Sequence, residues 1–247
     1  NRACYDLMVI YRELPREGFD TLQMLDLLGI SRTKLERALR NARMSPRIPY
    51  MVTNFISSEV KLRFDENNFP GFYTVYRTIR SYPRKIGGNL LGDVGEINER
   101  QLKMKRYADY RSGDYVGQSG VEKAYEEELR GKKGVKIMEK DTHGVVKGSY
   151  MDGMFDSLPE PGSYIVTTID ARLQAFTEEL MRGKVGAAVA IEPSTGEILM
   201  MVSSPTFDPD EMVGRHRGNN YMKMLYNKRQ PMFNRAVKAK YPPGSTF

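Results

Sequence analysis

Among the 247 residues, the one best placed to do chemistry is Ser245, in the closing stretch YPPGSTF at 241–247. Pro242 and Pro243 fix φ, Gly244 permits a sharp reversal, and Ser245 then stands where a new helix would start. By position alone it reads as an N-cap, its hydroxyl accepting from the first turn of that helix. Other reactive types offer less. Cys4 is the single cysteine, which excludes an intramolecular disulfide, and with only His143 and His216 no Cys/His cluster has metal-ligand spacing. No zinc and no other cofactor is expected. Cys4 stands in a run with Tyr5, Leu7 and Val9 and reads as a small buried hydrophobe. Gly113, Gly117 and Gly120 lack the Gly-Lys-Ser/Thr ending of a phosphate loop and have the wrong spacing for a dinucleotide fingerprint, so nucleotide binding is rejected.

A formal net charge of +7 raises the question of an acidic partner. The stretch RQLKMKRYADYR at 100–111 interleaves cations with Tyr107 and Tyr110, the arrangement of a phosphate-tracking surface with stacking platforms. Glu96 and Glu99 precede it, however, and Leu102 and Met104 share it. A solvated helix face accounts for the pattern, and no nucleic-acid partner is expected.

The elements that must position these residues follow from periodicity and punctuation. With about two fifths of its residues hydrophobic, the chain can bury at least one good core and has the length of one or two domains. A strand is predicted over 3–11, then a helix over 19–28 with Asp20 as N-cap and Gly29 as its stop. Ser31 starts a second helix through Arg43, with Leu35, Ala38 and Leu39 inward and Arg37, Arg40 and Arg43 outward. A third covers 57–64, and NNFPG at 67–71 is a turn. Strands are predicted from Phe72 and again over 89–97, followed by the basic helix 100–111. Ser119 and Glu122 are spaced as the capping box of a helix over 121–130. A hairpin about Thr142–His143–Gly144, a strand over 163–170 and a helix capped by Asp170 come next. Last is a hairpin over 186–203 turning at Pro193–Gly196, with Ala187, Val189 and Ile191 opposite Ile198, Met200 and Val202. The longest apolar runs, 186–191 and 198–202, fall far short of the roughly 18 residues of a membrane span.

Seven segments, in order, resemble class B penicillin-binding proteins, the membrane-anchored transpeptidases that cross-link bacterial peptidoglycan. They are FPGF at 69–72, NLLGDVGEIN at 89–98, GDYVGQSGVEKAYEEELRGKKG at 113–134, KDTHGVV at 140–146, TTIDARLQ at 167–174, AAVAIEPSTGEILMMVSSPTFDP at 187–209 and FNRAVKAKYPPGSTF at 233–247. The resemblance implies an α+β fold: an elongated pedestal or dimerisation domain over 1–183 with a helical, membrane-proximal insertion at 12–68, then the start of a serine β-lactamase-like transpeptidase domain at 184–247. The long insertion is most similar to the elongation type rather than its division counterpart. In the family, YPPGST introduces an S-x-x-K motif, so Ser245 is implied as the acyl-accepting nucleophile, with its N–H as one oxyanion donor. A lysine at i+3 shares the serine's helix face and can take the hydroxyl proton.

The sequence departs from the pattern after Phe247, where that lysine and the later S-x-N and K-T-G motifs would follow, so residues 1–247 alone are expected to be inactive. The resemblance implies a peptidoglycan stem peptide and β-lactams as ligands of the complete protein. It also implies a glycosyltransferase of the shape, elongation, division and sporulation family and other elongation-complex proteins as partners. An extracytoplasmic location is implied, with a membrane anchor upstream of Asn1. Two other readings stay open, a pedestal used purely as an interaction module and a basic nucleic-acid binder, the latter requiring binding with a steep salt dependence. Because the hairpin 186–203 would lack its sheet partners, residues 184–247 are expected to be mobile or held by packing on the pedestal or on a second copy, while 1–183 fold alone.

Overall fold

The computed structural model describes residues 1–15, 18–142 and 146–240. Its backbone divides into two compact units, one formed by 1–80 with 134–158 and the other by 81–133 with 159–247. Among the described residues no helix is long and apolar enough to cross a membrane.

In the first unit a three-stranded antiparallel sheet has the order β2-β1-β3, with β1 Arg2–Val9 at its centre, β2 Tyr50–Ile56 and β3 Phe72–Ile79 at its edges. The predicted strand over 3–11 ends at Val9, where a single 3-10 turn, Tyr11–Glu13, replaces it. Helices α1 Thr21–Leu28 and α2 Arg32–Met44 start where their caps predict. Asp20 accepts from the Gln23 amide at 2.9 Å, Ser31 accepts from Lys34 at 3.3 Å, and Gly29 closes α1 in the left-handed region at φ 56°. Leu35, Ala38 and Ala42 of α2 are buried, and Arg37, Arg40 and Arg43 face outward. α3 Ser58–Glu66 follows its cap Ser57.

Strand β2 is absent from the sequence expectation because Pro46 and Pro49 punctuate the stretch ahead of it. An edge strand tolerates proline at its entrance, where an N–H is not needed by the ladder. Two residues of β2 are set against one of β1 between Tyr5 and Leu7. Asp6, buried at this bulge, accepts from the Phe55 amide at 3.3 Å and pairs with Arg77 at 2.9 Å. The core joins Leu7 and Val9 of β1 to Met24, Leu28, Leu35, Phe64, Phe69 and Phe72. Cys4 is buried as expected, and burial followed by the charge of Asp6 pushes its thiol pKa up.

Entering the second unit, the strand predicted over 89–97 is instead a helical turn, α4 Gly88–Leu91, and a three-residue strand, β4 Val94–Glu96. The basic helix shrinks to α5 Glu99–Leu102 and a 3-10 turn at Lys105–Tyr107. Tyr107 is buried, with Tyr110 edge-on to it at 5.5 Å between ring centres, so the two rings build a core with Ile97 and Val116 instead of a stacking surface. Strand β5 Tyr115–Gly117 pairs antiparallel with β4. The helix predicted over 121–130 breaks at Tyr125 into α6 Gly120–Ala124 and α7 Glu126–Leu129. Glu126, on the buried side of that break, accepts from the Gly117 amide at 2.7 Å and from the Tyr110 hydroxyl. Burial first, and then that bond to Glu126, push the Tyr110 hydroxyl pKa well up.

The chain returns to the first unit as a hairpin of β6 Met138–Lys140 and β7 Val146–Ser149, whose predicted turn at His143–Gly144 lies outside the described residues. Residues 163–170, predicted as a strand, form none and bend at Thr168. They are held where Thr168 donates its hydroxyl to the Ile198 carbonyl at 2.7 Å and the Asp170 amide bonds Leu199 O at 2.8 Å. Asp170 caps α8 Ala171–Leu180, and the amides of Leu173 and Arg172 that it accepts hold its carboxyl pKa below the ordinary value. The final hairpin, β8 Gly186–Ile191 and β9 Ile198–Ser204, forms as expected with Ile191 opposite Ile198, but a bulge after that pair shifts the rest of the ladder by one residue. Ala188 faces Val202, Ala190 faces Met200, and Ala187 and Val189 pair with Ser203 and Met201. The six-residue connection, closed by the Glu192 amide on Glu197 O at 2.9 Å, keeps the Ile191–Ile198 pair, and the slip comes from Leu199, the extra residue between that pair and Ala190–Met200, with Val189 left exposed. Helices α9 Arg217–Leu225 and α10 Arg235–Lys238 complete the described chain.

Candidate functional site

Ser245 belongs to 241–247, outside the described residues, so the site is built from the scaffold that leads to it. That scaffold begins on β9. Gln174 of α8 is almost fully buried and uses its whole carboxamide: Oε1 accepts from the Met201 amide at 2.9 Å, and Nε2 donates to Met201 O at 3.0 Å and to Glu178 at 2.7 Å. Glu178 in turn accepts from the Gly87 amide at 2.8 Å. One side chain thus completes the β9 backbone where a neighbouring strand would otherwise stand.

From β9 the bonds run to the FNRA stretch. Ser203 donates to Phe233 O at 3.0 Å and accepts from the Arg235 amide at 2.9 Å, fixing the start of α10. The buried Arg235 guanidinium folds back onto three carbonyls, those of Arg229 at 2.7 Å, Gln230 at 3.1 Å and Phe233 at 3.3 Å. Five N–H donors on a rigid fork suit a turn whose carbonyls all point inward. Asn89 donates to Pro231 O at 3.0 Å, and Asn234 donates to Asn89 O at 3.1 Å. The backbone is therefore pinned from both sides a few residues before Tyr241.

Beside this frame lies a polar cleft of about 450 Å³ whose walls include Asn89, Asp93, Glu96, Arg217, Asn234 and Lys238. Its floor is an ion pair of low exposure, in which Arg217 donates to Asp93 at 2.5 Å and to the Val94 carbonyl at 2.9 Å. The capping box expected at Ser119 does not form, because the Ser119 hydroxyl turns to Asp93 at 2.6 Å. The charge-assisted bond to the buried carboxylate fixes the hydroxyl in an orientation from which its oxygen accepts no first-turn amide. The box that does form joins Asn98 and Gln101 at the start of α5. Gly92 and Gly120 cross here, both at positive φ, and a Cβ on Gly92 would lie 2.0 Å from the Ser119 carbonyl oxygen.

Among the described residues no group of three or more His, Cys, Asp or Glu could hold a metal ion. The chemistry on view is positioning: buried amide and guanidinium groups bond backbone carbonyls and fix the turn before α10 and its first residue. Gln174, Arg217 and Arg235 were not singled out from sequence. Gln174 and Arg235 carry only the signal of a polar residue inside or next to an apolar stretch, which many surface residues share, and Arg217, in the polar run RHRGNN at 215–220, carries none.

Comparison with known proteins gives the setting. Residues 1–167 match the family described as Penicillin-binding Protein dimerisation domain, and residues 186–247 match the Penicillin binding protein transpeptidase domain. A curated relative from Acinetobacter baumannii, Peptidoglycan D,D-transpeptidase MrdA, is 35% identical over 237 residues, which is 94% of this chain and 35% of that protein. The chain thus spans about a third of that relative's length. In fold it is similar to the solved structure "Complex between Penicillin-Binding Protein (PBP2) and MreC from Helicobacter pylori", with a TM-score of 0.71 and 23% identity over 99% of this chain and 46% of the other. A second likeness is to "Structural coordination of polymerization and crosslinking by a peptidoglycan synthase complex", with a TM-score of 0.61 and 27% identity over 96% of this chain and 41% of the other.

Proposed function

Because the chain belongs to the penicillin-binding proteins, through the dimerisation-domain family that takes in most of its length, we propose that it supplies the pedestal and the opening part of the catalytic domain of an elongation-type peptidoglycan D,D-transpeptidase. The observation that carries this reading is similarity along nearly the whole chain to a peptidoglycan D,D-transpeptidase. The division into a pedestal over 1–183 and a transpeptidase portion from 184 is supported by the gap between the two family matches. Within the reading, Ser245 attacks a stem-peptide carbonyl, its proton passing to a lysine one helical turn on. The terminal amino acid leaves, and the resulting acyl-serine is transferred to the amine of a second stem peptide. β-Lactams acylate the same hydroxyl, and residues 1–247 without that lysine do not react.

The protein works at the extracytoplasmic face of the bacterial membrane, anchored there. A glycosyltransferase of the shape, elongation, division and sporulation family and other elongation-complex proteins are its partners, in keeping with the synthase-complex likeness. The test is acylation by a fluorescent penicillin of the chain carried with its natural downstream sequence. Label on Ser245, abolished by Ser245→Ala, is the expected result. A folded domain that never labels overturns the reading.

A further inference from the structure

The outward face of α2 and the segment after it carry cations that the rest of the first unit does not neutralise. Between residues 32 and 51 there are six cations and one acid, and that acid, Glu36, is engaged by Arg32 at 3.0 Å. Lys34 is engaged by Thr53. Arg37, Arg40, Arg43 and Arg47 are exposed and make no ion pair or hydrogen bond with a described residue. Spacings of three and four put them along one side of the helix and its continuation, opposite the buried Leu35, Ala38 and Ala42. A fifth cation, the exposed Arg12, is brought to the same place, since its backbone amide donates to Pro46 O at 2.9 Å.

Apolar side chains stand among these cations. Met44 is 84% exposed and Ile48 63%, with Tyr50 and Met51 also exposed at the start of β2. The segment that carries them is anchored at both ends, by the Pro46 carbonyl and by Asn41, which donates to the Tyr50 hydroxyl at 2.8 Å. A soluble polyanion has use for the guanidiniums only. A surface that is anionic outside and apolar just beneath has use for both sets. We infer that this face of the first unit, Arg12 with Arg37–Met51, docks onto an anionic phospholipid membrane surface, the arginines on headgroup phosphates and Met44 and Ile48 in the acyl boundary. The inference does not rest on the transpeptidase reading, because it concerns residues remote in sequence from Ser245 and is read out by lipid binding alone.

The test is co-sedimentation of the 247-residue chain with phosphatidylglycerol-containing and with pure phosphatidylcholine vesicles, at low salt and at about 0.15 M. Binding to the anionic vesicles only is expected. R37E/R40E/R43E should lower the partition coefficient more than about tenfold. R100E/K103E/K105E, an equal charge change at exposed positions in the other unit, should lower it far less. M44S/I48S should leave low-salt binding in place and make the remainder fully salt-labile. Thermal melts of all three variants check folding, since every substituted residue is exposed. Equal losses in the two charge-reversal variants would make the effect one of net charge and overturn the inference. Indifference to M44S/I48S together with full displacement by polyphosphate would assign the face to a soluble polyanion and overturn it as well, as would failure to bind anionic vesicles.

Discussion

Gln174 and Arg235 show how two polar residues can hold a backbone on a side where no strand holds it. Each lies in the interior and spends its donors on carbonyls, the Met201 carbonyl for Gln174 and those of Arg229, Gln230 and Phe233 for Arg235. Buried polar groups are stabilising only when fully paired, so removing one side strands the other. Gln174→Leu keeps nearly the same volume but leaves the Met201 N–H and C=O and the Glu178 carboxylate short of a partner. The expected cost is about 2–4 kcal/mol in unfolding free energy. Hydrogen exchange at the Met201 amide should speed up more than at its neighbours in β9, because that amide bonds the Gln174 side chain directly. Unchanged exchange at Met201 in a folded variant would mean that the carboxamide does not close the strand.

At the scale of elements, the crossing of the 90–92 and 119–120 segments decides whether the cleft exists. A Cβ on Gly92 meets the Ser119 carbonyl oxygen at 2.0 Å, and one on Gly120 meets Leu90 O at 2.5 Å, with both residues at positive φ. Neither contact can relax by rotating a side chain, since both partners are backbone. Gly92→Ala is therefore expected to destabilise the second unit by about 2–3 kcal/mol, through clash and left-handed strain together. The amides of Gln118 and Gly117, which bond Asp93 O and Glu126 respectively, should lose protection first. A Gly92→Ala protein with wild-type stability would show that the two segments separate at little cost.

Element type was legible wherever a capped helix had its own stop signal. Asp20, Ser31 and Asp170 cap as their positions predict, and Ser57, read as the first residue of its helix, caps it instead. Legibility failed where a partner distant in sequence decides. Ser119 leaves its helix for Asp93, 163–170 lies without a ladder, and β2 exists because β1 offers it an edge. The hairpin 186–203 was legible as a hairpin, down to the Ile191–Ile198 pair, but the register beyond that pair depends on a bulge at Leu199, which apolar alternation alone does not specify. Of the site, the FNRA stretch was marked by resemblance, while the three carbonyls under Arg235 are backbone groups that no residue type announces.

At the scale of the whole molecule, each compact unit buries its own apolar cluster. Leu7, Val9, Met24, Leu28, Leu35 and Phe72 belong to the first, and Ile97, Tyr107 and Val116 to the second, with no residue in both. The second unit also covers the terminal hairpin from within: Met200 and Val202 of β9 are buried, α8 packs on that strand, and Val189 and Ile191 of β8 are left exposed. Residues 186–204 are thus packed within that unit, β9 lying against α8 and α4. Stability should then be registered unit by unit. Leu7 is fully buried at the centre of the first sheet, so Leu7→Ala removes buried methyl groups and leaves a cavity, at an expected cost of about 2–5 kcal/mol. Hydrogen exchange should report that loss at Val9, Val52 and Phe72, whereas Val116 and Val202 keep the protection they have in the parent chain. The opposite pattern, with protection at Val116 and Val202 falling by the same factor as at Val9, would mean that the two clusters melt as one cooperative body and that the separate-core argument fails.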